Sequence, residues 1–284
     1  MTARPERVPA EEVRQRMLDA GRELALEAGA ALTIEHLRLE EVIQRARVPR
    51  SSAYRLWPYR EDYADDLLCY LADEGSWFSE RPMHHPETFA IVKQVLADNT
   101  ELLGTLDGRR ALFCEIVRLT ADRNYAALTE SAPWRLHMAL VATLGSTRSG
   151  EARRRVAAAL ENAQQRSRES VVAVLGYLCA TLGVRLRDPA YTLDHVQLAG
   201  GMLVQSLALR NVQVQAAVAP SADGPASSAG AAPSAPEVAN RLLNEPVPGP
   251  GLTGATGWSL PARAYLGVVD AFLELDPDFM PPAP

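Results

Sequence analysis

Apolar residues recur at three- and four-residue steps through most of this chain, and no stretch offers a convincing two-residue alternation. A helix stacks residues three and four apart on one face, whereas a strand sends neighbours to opposite faces. The pattern therefore confines the chain to helices packed on helices, an all-α fold. Between Glu11 and Ala28 the stripe is Val13, Met17, Ala20, Leu24 and Ala28, and Gly29 stands where a C-terminal cap belongs. Ala30 to Leu37 reads as an extended connection. Leu39, Val42, Ile43 and Ala46 mark a second helix. Val48-Pro49 ends it, because the residue before a proline is pushed out of the helical region. A third helix runs from about Arg50 to Trp57 and stops at Pro58. A fourth starts near Arg60 and turns Tyr63, Leu67, Leu68 and Leu71 inward. Two short helices joined by a three- or four-residue turn have the form of a helix-turn-helix.

Helical spacing continues through Thr88–Leu103, Gly108–Leu128, Trp134–Leu144 and the long stretch Glu151–Leu182. Asp188-Pro189 ends that region, and Thr192 is placed to cap a helix reaching about Arg210. Residues 218–257 interrupt the regularity with 7 Pro and 6 Gly, plus many Ala and Ser. That composition predicts a surface loop, with Glu237–Leu243 as a helical island inside it. Order returns at Ser259, with Pro261 just inside a helix start and Ala264, Tyr265, Val268, Phe272 and Leu275 on one stripe.

Several function classes have no support in the residues. The three cysteines, Cys69, Cys114 and Cys179, are far apart with no C-x-x-C, so neither a disulfide framework nor a zinc site is suggested. His84 and His85 are adjacent and do not face one way on a helix, so no metal site is expected. No nucleophile elbow, phosphate loop or paired-carboxylate motif occurs, so no enzymatic activity and no cofactor are expected. Residues 1–8 alternate charge with proline and lack an apolar run. No stretch approaches membrane-spanning length, so a cytoplasmic address without membrane contact is expected.

Net charge is -6, yet its distribution is uneven. Between Arg38 and Arg60 six arginines (Arg38, Arg45, Arg47, Arg50, Arg55 and Arg60) oppose Glu40 and Glu41, a net of +4. A basic patch on an acidic body suits a protein that meets phosphates with one end. The third helix adds Ser51, Ser52 and Tyr54 to Arg50 and Arg55, while Ala53 and Trp57 face the core. Cations and hydroxyls of this kind hold phosphate, and long side chains reach base edges in the major groove.

The stretch from Val42 to Asp62 resembles the TetR family of transcription regulators. Val42 and Ile43 stand at the paired apolar positions, Ala46 and Val48 match directly, and Ser52 replaces threonine. Tyr54 is the family's tyrosine, Trp57 replaces phenylalanine, and Arg60-Glu61 replaces Lys-Glu. The preceding helix, ending in Glu27-Ala28-Gly29, also matches, so the resemblance covers residues 12–72. Arg47 departs from it, standing where glycine usually makes the turn; Pro49 replaces the N-cap serine, and Leu56 a frequent histidine.

The resemblance implies a three-helix DNA-binding domain over residues 10–60, a linking helix over 60–76, and a larger helical ligand-binding and dimerisation domain over 77–284. It implies DNA contacts from Arg47, Arg50, Ser51, Ser52, Tyr54, Arg55 and Arg60. Its partners would be a double-stranded palindromic operator, a small-molecule effector and a second copy of the chain. The function so implied is a ligand-responsive regulator, most simply a repressor released by the small molecule. The alternative is a helical ligand-binding protein or enzyme whose helix-turn-helix is vestigial.

For the ligand cavity the residues offer large or polar-tipped side chains: Trp77, Phe78, Phe113, Tyr125, Trp134, His137, Met138 and Tyr177. For the dimer they offer two late stripes, Leu198, Met202, Gln205 and Leu209 on one helix and Tyr265, Val268 and Phe272 on another. Gly200-Gly201 would permit close helix approach.

Overall fold

The computed structural model describes residues 9–27, 37–72, 85–145, 150–219, 233–252 and 256–280. Among these residues eleven α-helices form the framework. They are α1 (Ala10–Glu27), α2 (Leu39–Ala46), α3 (Arg50–Leu56), α4 (Arg60–Ala72), α5 (His85–Ala97), α6 (Leu106–Glu130), α7 (Ala132–Thr143), α8 (Gly150–Leu182), α9 (Leu193–Val218), α10 (Ala235–Asn244) and α11 (Leu260–Phe272). A short 3₁₀ segment, Thr100–Gly104, precedes α6. The all-α expectation holds for this framework, with one correction of detail. Four three-residue strands also form: β1 (Val184–Leu186), β2 (Val247–Gly249), β3 (Thr256–Trp258) and β4 (Leu273–Leu275). They pair antiparallel as β1 with β4 and β2 with β3, with Arg185 opposite Glu274 and Pro248 opposite Gly257. Three residues are too few to show a two-residue period in a sequence, which is why none was expected.

The chain divides into two compact units. One comprises Met1–Arg81 and Ser131–Gln165, the other Pro82–Glu130 and Arg166–Pro284. This differs from a division at residues 60 and 77: α7 and the first half of α8 join the N-terminal helices. Their apolar residues Leu136, Leu140, Val156 and Leu160 share one core with Val13, Met17, Leu24, Val42, Ile43, Trp57 and Leu67.

In the first unit α1 is the central support, packed by α2, α3, α4 and α7. Gly21 lets α4 come close, since a Cβ there would lie 2.2 Å from the Tyr63 hydroxyl oxygen. That hydroxyl donates to the Met17 carbonyl oxygen at 2.9 Å, and burial pushes the phenol well above its ordinary range. Asp66 of α4 accepts from Trp57 Nε1 at 2.9 Å and pairs with Arg14 of α1 at 3.0 Å. One carboxylate thereby anchors the end of α3 to two neighbouring helices.

In the second unit α6, α9 and α11 pack on one another, α5 packs on α6, and α10 packs on α9. Gly200 is the close approach here. A Cβ at that position would sit 2.2 Å from the Tyr265 ring, so the ring of α11 lies directly on the α9 backbone. Arg109 is buried with no carboxylate partner among the described residues; it donates to the carbonyl oxygens of Leu182 (2.9 Å) and Asp276 (3.0 Å) and lies 5.3 Å from the centre of the Phe279 ring. The Leu182 carbonyl, at the C-terminal end of α8, is a suitable sink for a cation.

The described parts of residues 218–257 are more structured than their composition predicts. Ser234 and Glu237 form a reciprocal capping box that starts α10, which extends the expected island at both ends. Leu243 is buried, and amides of Asn240 and Asn244 bond to Gln215 and Asn211 of α9. Trp258 closes the β2–β3 hairpin, fully buried, with Nε1 donating to the Pro250 carbonyl oxygen at 2.8 Å. The parts of the expected loop at 220–232 and 253–255 lie outside the described residues, as do all but the last residue of the expected connection from Ala30 to Leu37 and the end of the expected linking helix.

Candidate nucleic-acid interface and ligand cavity

The segment singled out by its arginines folds as two helices joined by Arg47, Val48 and Pro49. Arg47 is the single non-glycine residue with positive φ among the described residues (φ 53, ψ 41). Its N–H donates to the Gln44 carbonyl oxygen and the Val48 N–H to that of Ile43, while the Val48 side chain is buried. This is the Schellman ending in which glycine usually sits, so an L-residue there carries strain of about 1–2 kcal/mol. Pro49 gives α3 no side-chain cap, but its carbonyl oxygen accepts from Ser52 and Ala53.

Ala53 and Trp57 are buried, with the Trp57 ring edge-on to Tyr63 at 5.2 Å. The opposite face of α3 is open: Arg50, Ser51, Tyr54 and Arg55 are exposed and Ser52 is half-buried. Arg47 and Arg60 are exposed beside it. Arg47, Arg50 and Arg55 have no ion-pair partner among the described residues. Arg45, counted in the basic patch, is different: it pairs with Glu27 (2.7 Å) and Glu23 (3.5 Å) of α1. Its charge ties α2 to α1 and is balanced by those carboxylates, while the side chain stays exposed.

Two features of this surface escaped the sequence. The Tyr54 hydroxyl donates to Glu40 Oε1 at 2.8 Å, tying α3 back to the first turn of α2. That bond, then the nearby Arg50 and Arg38 charges, hold the Glu40 carboxyl below its ordinary range, and the same carboxylate pushes the Tyr54 phenol up. Fourteen positions separate the pair, and nothing in local spacing links them. Tyr59, between Pro58 and Arg60, is 71% exposed, which adds an aromatic ring beside the arginines.

The second unit holds a cavity of about 90 Å3 between α6, α8, α9 and α11. Aliphatic side chains, among them Ile116, Val117, Val174, Leu178 and Val204, form most of its wall. Polar groups enter from Thr88 of α5, Thr120, Arg123 and Asn124 of α6, Ser170 of α8, Gln197 and Gln205 of α9, and Tyr265 of α11. The Thr120 hydroxyl donates to the Ile116 carbonyl oxygen (2.7 Å), and burial pushes the Tyr265 phenol up to about 12. Asn124 Oδ1 is buried with no hydrogen-bond partner among the described residues.

Of the expected ligand residues, none that is described lines this cavity. Phe113 and Tyr125 are buried on α6, with the Tyr125 hydroxyl oxygen lacking a partner among the described residues. Tyr177 stands edge-on to Phe89 at 5.5 Å. Trp134, His137 and Met138 lie on α7 in the first unit, where Trp134 and His137 are buried; burial lowers the His137 imidazole to about 4. Trp77, Phe78 and His84 lie outside the described residues. The legible signal was the polar and small row Gln197, Gly201, Gln205, spaced at four-residue steps along α9.

The two late stripes also separate. Leu198 and Met202 are 55% and 54% exposed and Leu209 is exposed too, so this edge of α9 is uncovered within the chain. Gln205 and Tyr265 line the cavity, Val268 is half-buried, and Phe272 packs on Tyr191 at 4.9 Å. Gly200 accommodates Tyr265 of the same chain. No helix among the described residues is long and apolar enough to cross a membrane. Comparison with known proteins adds no relative: no family model, no curated protein and no solved structure matches this chain.

Proposed function

We propose that this chain is a DNA-binding transcription regulator of the TetR type, acting as a homodimer and released from a palindromic operator by a small molecule. The observation that carries the reading is the open face of α3. It presents Arg50, Ser51, Tyr54 and Arg55 to solvent while Ala53 and Trp57 hold the helix to its core. A rigid short helix of this kind, entered through a tight turn, is the element that reads a major groove. Arg47 and Arg60 flank it as phosphate contacts, and Ser52 offers a half-buried hydroxyl. The exposed Leu198, Met202 and Leu209 supply the contact with the second copy, and the cavity supplies the effector site.

The test is retention of fragmented genomic DNA by the purified protein, followed by sequencing of what is retained. A two-fold dimer reads an inverted repeat, because each copy contributes one reading helix. Recovery of one inverted repeat supports the reading; recovery without sequence preference, or none, removes it and leaves a helical ligand-binding protein. Met202→Arg places a charge in the proposed dimer contact. It should yield folded monomers with severely weakened retention.

A further inference from the structure

The Tyr54 hydroxyl is already engaged within the chain. It donates to Glu40 Oε1 at 2.8 Å, from the exposed face of α3 to the first turn of α2. Both residues are exposed, so the bond closes no core and stands on the surface that would meet a duplex. Arg50 precedes Tyr54 by one helical turn and shares its face. Arg38 is the N-cap residue of α2, two positions before Glu40. Neither arginine has an ion-pair partner among the described residues. Both charges nevertheless lie close enough to favour the ionised Glu40, after the Tyr54 bond and one from its own backbone N–H. A hydroxyl donor, an N–H at a helix start and two guanidinium charges around one anion are the groups that hold a phosphodiester. Here a carboxylate of the chain has them. On a face that meets DNA a carboxylate is otherwise unfavourable, because it repels the phosphates.

We propose that Tyr54, Arg50 and Arg38, with the first-turn N–H of α2, form a phosphodiester site that Glu40 fills in the free chain, so that duplex DNA binds by displacing this carboxylate. The exchange gives up the Tyr54–Glu40 bond and leaves Glu40 beside a phosphate, which lowers affinity for any duplex whatever its sequence. This inference rests on the reading of α3 as the helix that meets DNA. It adds Arg38 to that surface and gives Glu40 an opposing role.

The test uses the full chain and a fluorescein-labelled duplex of mixed sequence, about three helical turns long, followed by anisotropy across a salt titration. Glu40→Gln removes the charge and keeps an acceptor for Tyr54; Glu40→Ala removes both. Each should bind roughly three- to ten-fold more tightly than the parent, the effect of one charge a few ångströms from a phosphate at the surface. Each should also steepen the slope of log affinity against log salt by about one, the increment of one further phosphate contact. Glu41→Gln, at the next exposed position, removes an equal charge outside the site and should change affinity less than about two-fold. Tyr54→Phe should cost about five-fold more in the Glu40→Ala background than in the parent, because only there is the hydroxyl unspent. A gain absent from either Glu40 variant overturns the inference and leaves the DNA reading standing; weaker binding there makes Glu40 a positioning residue for Tyr54 instead. An equal gain in Glu41→Gln overturns it too, since the effect is then one of net charge. So do an unchanged salt slope and independent effects at positions 40 and 54. Melting temperatures identify which variants are folded, and either Glu40 variant alone decides. A parent that binds no duplex at low salt removes the DNA reading and this site with it.

Discussion

The open face of α3 and the cavity between α6, α8, α9 and α11 place their polar groups on opposite sides of the packing. On α3 the groups that would meet DNA point outward, and the buried pair Ala53 and Trp57 fixes the helix, with Tyr54 alone serving both through its bond to Glu40. In the cavity the same residues do both jobs. Tyr265 is a wall of the site and also the ring that seats α11 on Gly200 of α9. Folding and recognition should therefore come apart by mutation in the first unit and stay joined in the second.

The largest effect should come from the support of α3. Trp57→Ala removes a buried ring and the bond to Asp66, a loss of about 3–5 kcal/mol. Urea unfolding should show it; a loss below about 1 kcal/mol would mean that α3 is not held by its core face.

Acid should act on the first unit through His137. Its folded-state value, about 4, lies below the ordinary 6.5, so the unfolded chain takes the proton first as pH falls. The neutral imidazole's contribution is whole above pH 6.5 and is lost progressively down to about pH 4. The loss approaches about 3 kcal/mol, and His137→Gln should flatten that part of the stability profile. An unchanged profile in the variant would place the acid sensitivity elsewhere.

Gly200→Ala should weaken the second unit by about 1–3 kcal/mol, since the new Cβ collides with Tyr265. Because Tyr265 also walls the cavity, binding of a small apolar probe such as xenon there should fall with stability. A variant stable as the parent but unable to bind, or destabilised with binding intact, would break the coupling claimed for this unit.

The smallest effect should be of opposite sign in its two readouts. Arg47→Gly relieves the left-handed backbone and should raise stability by up to about 1 kcal/mol, while removing one phosphate contact lowers DNA affinity. Equal directions in melting temperature and affinity would show that Arg47 acts through the fold alone.

Legibility from sequence followed the range of the forces involved. α2 begins and ends where its apolar spacing and Val48-Pro49 place it, because helix spacing and proline sterics are local. Ser234 and Glu237 carried a readable start for α10, but the surrounding proline and glycine outweighed it. The joining of α7 and early α8 to the N-terminal helices depends on packing between distant positions, which periodicity does not encode. The cavity was sought among aromatic rings, yet rings fill space well. This opening lies where aliphatic side chains and amides leave room, and Phe113, Tyr125 and Tyr177 do not line it.

The outward face of α3 is tested most directly by titrating salt against binding to the recovered inverted repeat, for the parent and for Arg50→Ala. The parent should lose affinity steeply as salt rises, because phosphate contacts release counterions. Arg50→Ala should bind about 1–3 kcal/mol more weakly at every salt concentration if it meets a base, with an unchanged melting temperature. Identical curves for the two proteins would contradict the assignment of α3 as the reading helix.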